Sequence, residues 1–209
     1  MENILEQKEK KDITFFNKPC NFVLGVANLK QLPETGYPEV AFWGRSNVGK
    51  SSLINALLNK KRLVKVSNTP GRTREINYFS LNDELYLVDL PGYGYAKVSK
   101  DLKEIWNKLV VKYLQNAKHL KRIYLLIDSR IGFKEIDLAI MDFLNYYGRS
   151  YQIVLTKSDK INKTELQELS LKIAEMIVKH PACHPEFIIS SSSKRLGLDD
   201  IKQSVLNCL

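Results

Sequence analysis

The chain has 209 residues, a formal net charge of +9, 44% hydrophobic residues and 26% charged residues. That length suits one domain with an ample core, the composition excludes wholesale disorder, and the charge favours an acidic partner, nucleic acid first. No apolar run approaches the roughly 20 residues of a membrane helix. The charged N-terminus does not read as a secretory signal, and three scattered cysteines, Cys20, Cys183 and Cys208, form no disulfide framework and suit a reducing cytoplasm.

Residues 1 to 20, mixed in charge and poor in apolar anchors, read as a mobile arm, and residues 21 to 209 as a single domain. Within it, Glu39 to Trp43 is a short apolar strand and Ser51 to Leu58 a helix with Leu53, Ile54, Leu57 and Leu58 on its apolar face. Ile76 to Leu81 and Leu85 to Leu90 are strands joined at Asn82-Asp83, a two-residue hairpin connection. Leu102 to Asn116 places Leu102, Ile105, Trp106, Leu109, Val110 and Tyr113 on one helical stripe.

Ile123 to Ile127 is a strand, and Glu135 to Tyr147 a helix stopped by Gly148. Tyr151 to Leu155 is a strand, and Thr164 to Lys179 a helix with Thr164 and Gln167 as its capping box. Phe187 to Ile189 is a strand and Leu198 to Leu206 the final helix. Strands apolar on both faces, alternating with helices, predict an α/β three-layer sandwich. Its sheet is mainly parallel, with one antiparallel edge strand contributed by the hairpin.

Gly44-Arg45-Ser46-Asn47-Val48-Gly49-Lys50-Ser51 fits G-x-x-x-x-G-K-[ST] and sits between a strand and a helix, as a phosphate loop must. Its glycines let backbone N–H groups close on phosphate oxygens, and the helix adds its dipole. Lys50 supplies charge to the outer phosphates, and Ser51 offers a hydroxyl to Mg2+. Asp89-Leu90-Pro91-Gly92 ends a strand, where the acid can hold Mg2+ through its water shell and the Gly92 amide can sense the terminal phosphate.

Thr156-Lys157-Ser158-Asp159 follows the strand Tyr151 to Leu155. A carboxylate there accepts from the ring N–H and exocyclic amine of guanine, whereas adenine leaves it unpaired, so Asp159 selects GTP and GDP. The Lys157 stem can lie over the base. Ser190, Ser191 and Ser192 form the second wall, with one of their amides facing the base.

Gly71, Arg72, Thr73, Arg74 and Glu75 lie between the phosphate loop and Asp89. Thr73 is placed to reach Mg2+ only while the terminal phosphate is present, which makes the segment an order–disorder switch. Tyr93, not Gln, follows Gly92, and no side chain there orients the attacking water. Hydrolysis is therefore expected to be slow, carried by Lys50, the Gly92 amide, Thr73 and Mg2+, with Asn47 offering an oxygen to a K+ ion. The cluster His180, Cys183 and His184 reads as a proline-flanked loop rather than a metal site, and Trp43 and Trp106 as core residues.

Together these motifs, with Gly94-Tyr95-Ala96-Lys97 the most distinctive, resemble the EngB family of bacterial GTPases, also called YihA or YsxC. The resemblance spans roughly residues 20 to 209. It implies a small-GTPase-like P-loop NTPase fold and a role in assembling the large ribosomal subunit, linked to cell division and septation. It implies phosphate binding at Gly44 to Ser51, Mg2+ at Ser51 and Thr73, and base binding at Thr156 to Asp159 and Ser190 to Ser192. Thr156 stands where many GTPases carry Asn, in keeping with this family.

The charge is uneven. Leu57 to Arg74 holds six basic residues and no acid, and Lys97 to Arg122 eight basic residues and two acids. Both segments flank the nucleotide-sensing loops in sequence, so a cytoplasmic monomer whose basic surface meets ribosomal RNA in the GTP state is the expectation. A signalling GTPase with protein partners is the alternative. A nucleic-acid-binding module with a vestigial pocket conflicts with Lys50, Ser51 and Asp89, and an ATP-dependent phosphotransferase with Asp159.

Overall fold

A computed structural model describes residues 12–33, 36–60, 63–64, 75–94 and 108–209. Seven strands form one sheet: β1 (Cys20–Val26), β2 (Glu39–Gly44), β3 (Ile76–Leu81), β4 (Leu85–Asp89), β5 (Leu120–Asp128), β6 (Tyr151–Thr156) and β7 (Ile188–Ile189). Their order is β1-β3-β4-β2-β5-β6-β7. β4, β2, β5, β6 and β7 pair in parallel, and β3 runs antiparallel to both of its neighbours. The helices are α1 (Lys50–Leu57), α2 (Lys108–Asn116), α3 (Glu135–Tyr146), α4 (Lys163–Val178) and α5 (Leu198–Leu206).

The central strands have two buried faces because successive side chains point to opposite sides. Ala41, Trp43, Val88, Ile123, Leu125 and Ile153 pack with α2, α3 and α4, through Val110, Tyr113, Ile140, Leu144 and Ile173. Val40, Phe42, Leu87, Tyr124, Leu126 and Val154 pack with α1 and α5, through Leu53, Ile54, Ile201 and Val205. This is the three-layer arrangement expected for near-continuous apolar strands.

Three local expectations change. β1 was not assigned from the sequence; it lies outside β3, so the antiparallel strand is one position in from the edge. A register shift between Phe22 and Leu24 breaks its alternation, and only its two ends are buried. The hairpin connection has three residues, with Asn82 and Asp83 both at positive φ and the Glu84 amide donating to Leu81 O at 3.2 Å. The cap of α4 is Asn162 with Glu165, each side chain accepting from the other's backbone N–H at 2.9 Å.

Residues 12–19, placed in the arm from sequence, belong to the domain. Asp12 caps a short 3-10 turn, Ile13–Asn17, whose Phe16 is fully buried in the core beside α5. Residues 1–11 lie outside the described residues, as do Trp106 and the expected helical residues 102–107.

β2 begins with a buried carboxylate. Glu39 accepts from the Tyr113 hydroxyl at 2.6 Å and from Tyr78 at 3.4 Å, tying β2 to α2 and β3. Burial pushes its carboxyl above the ordinary 4.5, and the two tyrosines only partly oppose this. A raised carboxyl pKa favours folding below 4.5 and costs stability as pH rises above it. Glu39→Gln keeps an acceptor for Tyr113 and should be roughly 1 kcal/mol more stable than the parent at pH 7. That gain should shrink toward pH 4.5, read by thermal unfolding across this range. A variant less stable at pH 7 would contradict the assignment.

Candidate nucleotide site

The site is built at the C-terminal ends of the parallel strands, where open α/β sheets bind ligands. β2 ends at Gly44, and a Cβ there would lie 2.9 Å from Leu126 O and 2.9 Å from a Val48 methyl, so the loop leaves the sheet only through glycine. Asn47 turns the chain at φ 64°, and α1 starts at Lys50 directly after Gly49. The Leu53 amide donates to Gly49 O at 2.9 Å as the helix takes over.

The segment after β4 lies along this loop. The Tyr93 amide donates to Gly44 O at 3.2 Å, and the Ser46 amide donates to Tyr93 O at 2.9 Å. Gly92 sits against Ser46, where a Cβ would come within 3.2 Å of its backbone. Asp89, buried at the end of β4, pairs with the Lys50 ammonium. Leu90 is buried, and Pro91 O accepts from the Trp43 indole at 3.1 Å.

Tyr93 does not face the loop mouth. Its ring packs edge-on to Trp43, and its hydroxyl donates to Asp137 at 2.8 Å. Asp137, fully buried at the start of α3, also accepts from the Lys134 amide at 2.8 Å and lies 3.3 Å from Arg45 Nε. Burial raises its carboxyl, and these three partners act against that rise. Arg45 also donates to Gly132 O at 2.6 Å. Its side chain is therefore a brace between the phosphate loop and α3.

The base end is fastened to the same loop. The Thr156 hydroxyl donates to Val48 O at 2.7 Å, and Lys157 Nζ to Asn47 O at 2.6 Å. Lys157 adopts φ 56°, which carries its side chain back over the loop. Asp159 Oδ1 accepts from the Ser191 hydroxyl at 2.6 Å, a bond that holds its carboxyl below the ordinary value. Ser190 is buried and bonded to Leu155 O, and its own carbonyl accepts from the Ser158 amide at 3.1 Å. Ser191 closes a turn by exchanging backbone bonds with Leu196, which leaves half-buried Ser192 as the wall residue whose amide has no backbone partner among the described residues.

Gly71, Arg72, Thr73 and Arg74 lie outside the described residues; Glu75 is exposed at the start of β3, its carboxylate over Gly25. The His180 ring bonds Met176 O at 2.7 Å and lies 3.4 Å from Asp142. Of the six basic residues in the first segment, only Lys60 is among the described residues. Of the second, Lys97, Lys100 and Lys103 lie outside the described residues, and Lys118, Lys121 and Arg122 lie at the far end of the sheet from the phosphate loop.

Asp128 was not singled out from the sequence. It ends β5, as Asp89 ends β4, and that shared position is the signal that could have found it. Lys157 Nζ lies 2.8 Å from it, and Arg130 grips it at 2.8 and 3.0 Å. Burial alone would raise this carboxyl; the bonds from Arg130 and Lys157 outweigh it and hold it at about 2. Its stabilising contribution is thus full above its ordinary 3.8 and lost as pH falls toward 2.

A phosphate loop, a strand-end acid paired with its lysine, and a base-selecting carboxylate on one sheet edge define a P-loop GTPase. A family model described as "50S ribosome-binding GTPase" matches residues 39–157. A probable GTP-binding protein EngB from Chelativorans sp. (strain BNC1) is 47% identical over 98% of this chain and 95% of its own. The crystal structure of a probable GTP-binding protein engB superposes with a TM-score of 0.64 at 26% identity, over 81% of this chain and 97% of that one. A structure of Era in complex with MgGDPNP and nucleotides 1506–1542 of 16S ribosomal RNA superposes with a TM-score of 0.63 at 28% identity, over 83% of this chain and 57% of that one. The chain belongs to the EngB family of GTP-binding proteins. Among the described residues no helix is long and apolar enough to cross a membrane.

Asp128→Asn keeps the shape beside Lys157 and removes the charge. GDP affinity should fall about tenfold, with the hydrolysis rate at saturating GTP within about twofold of the parent. Fluorescent-GDP titration and single-turnover hydrolysis separate the two. Unchanged affinity would detach Asp128 from the base site.

Proposed function

We propose that this protein is a nucleotide-gated assembly factor for the large ribosomal subunit. It binds GTP with Mg2+, hydrolyses it slowly, and leaves the subunit after hydrolysis. The observation that carries the reading is the single loop to which phosphate-binding and base-binding parts are both fastened, together with the ribosome-binding description of the matching family. The residues suit the ligand: Ser51 and Thr73 would hold Mg2+, with Asp89 acting through its water shell. The bound metal would neutralise charge on the phosphates.

Lys50 and Asp89 neutralise each other in the arrangement seen. Phosphate draws the ammonium away, and the carboxylate is then free for the hydrated metal, so binding replaces one ion pair with two charge contacts. The Tyr93 hydroxyl is committed to Asp137, so no side chain of this segment orients water among the described residues, in keeping with a slow rate. The Asn47 main-chain oxygen is taken by Lys157, which leaves its side-chain amide oxygen for a K+ ion.

A monomer in the cytoplasm is the working form. Its resemblance to the EngB family supports a role in division and septation as part of this proposal.

Two experiments test this. Asp159→Asn should lose guanine nucleotides by two orders of magnitude or more and gain xanthine nucleotides. The parent, sedimented with separated large and small subunits, should be retained by the large subunit with a non-hydrolysable GTP analogue and released with GDP. Retention by small subunits would transfer the reading to the partner seen with Era. Retention by neither, with GTP binding intact, would replace it with a signalling role.

A further inference from the structure

We propose that the outward face of α2, the turn after it and the adjoining Tyr146 form an RNA-docking surface, remote from the nucleotide. The proposal rests on the ribosome-binding reading above. Lys108 and Lys112 are exposed one helical turn apart on α2, and Lys118 is exposed in the turn that follows. Lys121 is exposed as well. It is the extra residue where the β2–β5 register slips between Leu120 and Arg122, so it stands outside the alternating ladder. From Ile105 to Ile127 the chain contains no Asp or Glu.

The end of α3 is stitched to this surface. Arg149 donates to Gln115 O at 2.7 Å and Ala117 O at 3.0 Å, and the Gln115 amide donates to the Tyr147 hydroxyl at 2.9 Å. Tyr147 leans on Phe143 with ring centroids 4.7 Å apart, and Tyr146 stands edge-on to Tyr147 at 5.0 Å. Tyr146 is nevertheless 83% exposed. A supported, solvent-facing ring among lysines is a platform on which a base stacks while the ammonium groups take phosphates. Asp142, the exposed acid one turn before Tyr146, lies 3.4 Å from His180. Lysines with polar amides between them suit a polyanion better than an apolar protein face.

Leu120 pairs with Glu39 and Leu126 with Gly44, so the start of β5 and the phosphate loop are about 20 Å apart. RNA held here leaves the nucleotide pocket open. α2 follows in sequence the segment after Gly92, which makes it the direct connection between the two ends.

The test uses the full chain with a GTP analogue, large subunits and protein-free ribosomal RNA extracted from them, across a salt series. Lys112→Glu/Lys118→Glu/Lys121→Glu should weaken binding to both by at least tenfold and lower the slope of log affinity against log salt by about three. Lys163→Glu/Lys172→Glu/Lys179→Glu on the α4 side carries the same charge change and should bind within about twofold of the parent. Tyr146→Ala should weaken binding about tenfold without changing the slope. Fluorescent-GDP affinity should stay unchanged in all three, which confirms folding.

A first triple variant that binds like the parent overturns the surface and leaves the ribosome reading intact. A parent that binds subunits but not protein-free RNA shows a ribosomal protein as the partner and overturns the RNA assignment. A parent that binds neither overturns both readings.

Discussion

Three carbonyl oxygens of the phosphate loop, those of Gly44, Asn47 and Val48, are engaged from outside it, and the nucleotide site depends on that constraint. Gly44 O accepts from Tyr93, Arg45 O from Val48, Asn47 O from Lys157 and Val48 O from Thr156. A peptide whose carbonyl is turned outward presents its N–H on the opposite side, so the bonds at Gly44 O and Val48 O turn the Arg45 and Gly49 amides inward before any phosphate arrives, while the Ser46 and Val48 amides are taken by Tyr93 O and Arg45 O. The cost of ordering seven or eight residues is met during folding rather than on binding, and preorganised amides favour an anion accordingly. The same bonds make the base loop and the segment after β4 part of one frame. A change at Thr156 or Lys157 therefore disturbs phosphate binding as well as base selection.

Arg45 and Asp137 extend that frame into α3. A buried carboxylate with a guanidinium at 3.3 Å and a tyrosine hydroxyl at 2.8 Å is a poor source of net stability, because desolvation offsets most of the attraction. Its effect is positional. The Tyr93 ring is held against Trp43, and Gly92 is held against Ser46. Tyr93, which follows Gly92, is thus anchored in the core by its side chain while its backbone pairs with the loop. Movement of this segment requires breaking the Tyr93–Asp137 bond and uncovering a carboxylate, a discrete step of the kind that gives two states rather than a continuum.

Most of this end of the molecule was legible because phosphate and guanine impose short contiguous patterns. Gly44 to Ser51, Asp89 to Gly92 and Thr156 to Asp159 each carry their chemistry within four to eight residues. The strands β2, β4, β5 and β6 were equally legible, since two buried faces leave continuous apolar runs. What escaped has no local pattern. Asp137 and Tyr93 are 44 residues apart and meet only through the packing of α3 on the sheet. Asp128 looks like any strand-terminal acid until Lys157 is seen beside it. β1 is half exposed and bulged, so its period is broken where it would have been read. The place of Lys118, Lys121 and Arg122 was hidden for a different reason: a charge run carries no sign of which end of the sheet it occupies until the turn between α2 and β5 is seen at the end opposite the phosphate loop.

That position bears on how a nucleotide could govern a ribosome contact. The phosphate loop and Gly92 lie at the C-terminal ends of β2 and β4, whereas much of the described basic surface lies where β5 begins. With about 20 Å of strand between them, any dependence of one on the other is a coupling free energy between separate sites. It must act through an element with two arrangements, and a ligand shifts that element only by its difference in affinity for the two. α2 meets the geometric requirement. Val110, Tyr113 and Leu114 bind it to the core, and the Tyr113–Glu39 bond fixes its far end to β2. A helix so clamped through Tyr113 can transmit a tilt more readily than a translation along its axis. The coupling that this arrangement favours is therefore a re-aiming of the lysine-bearing face, rather than assembly of a new surface.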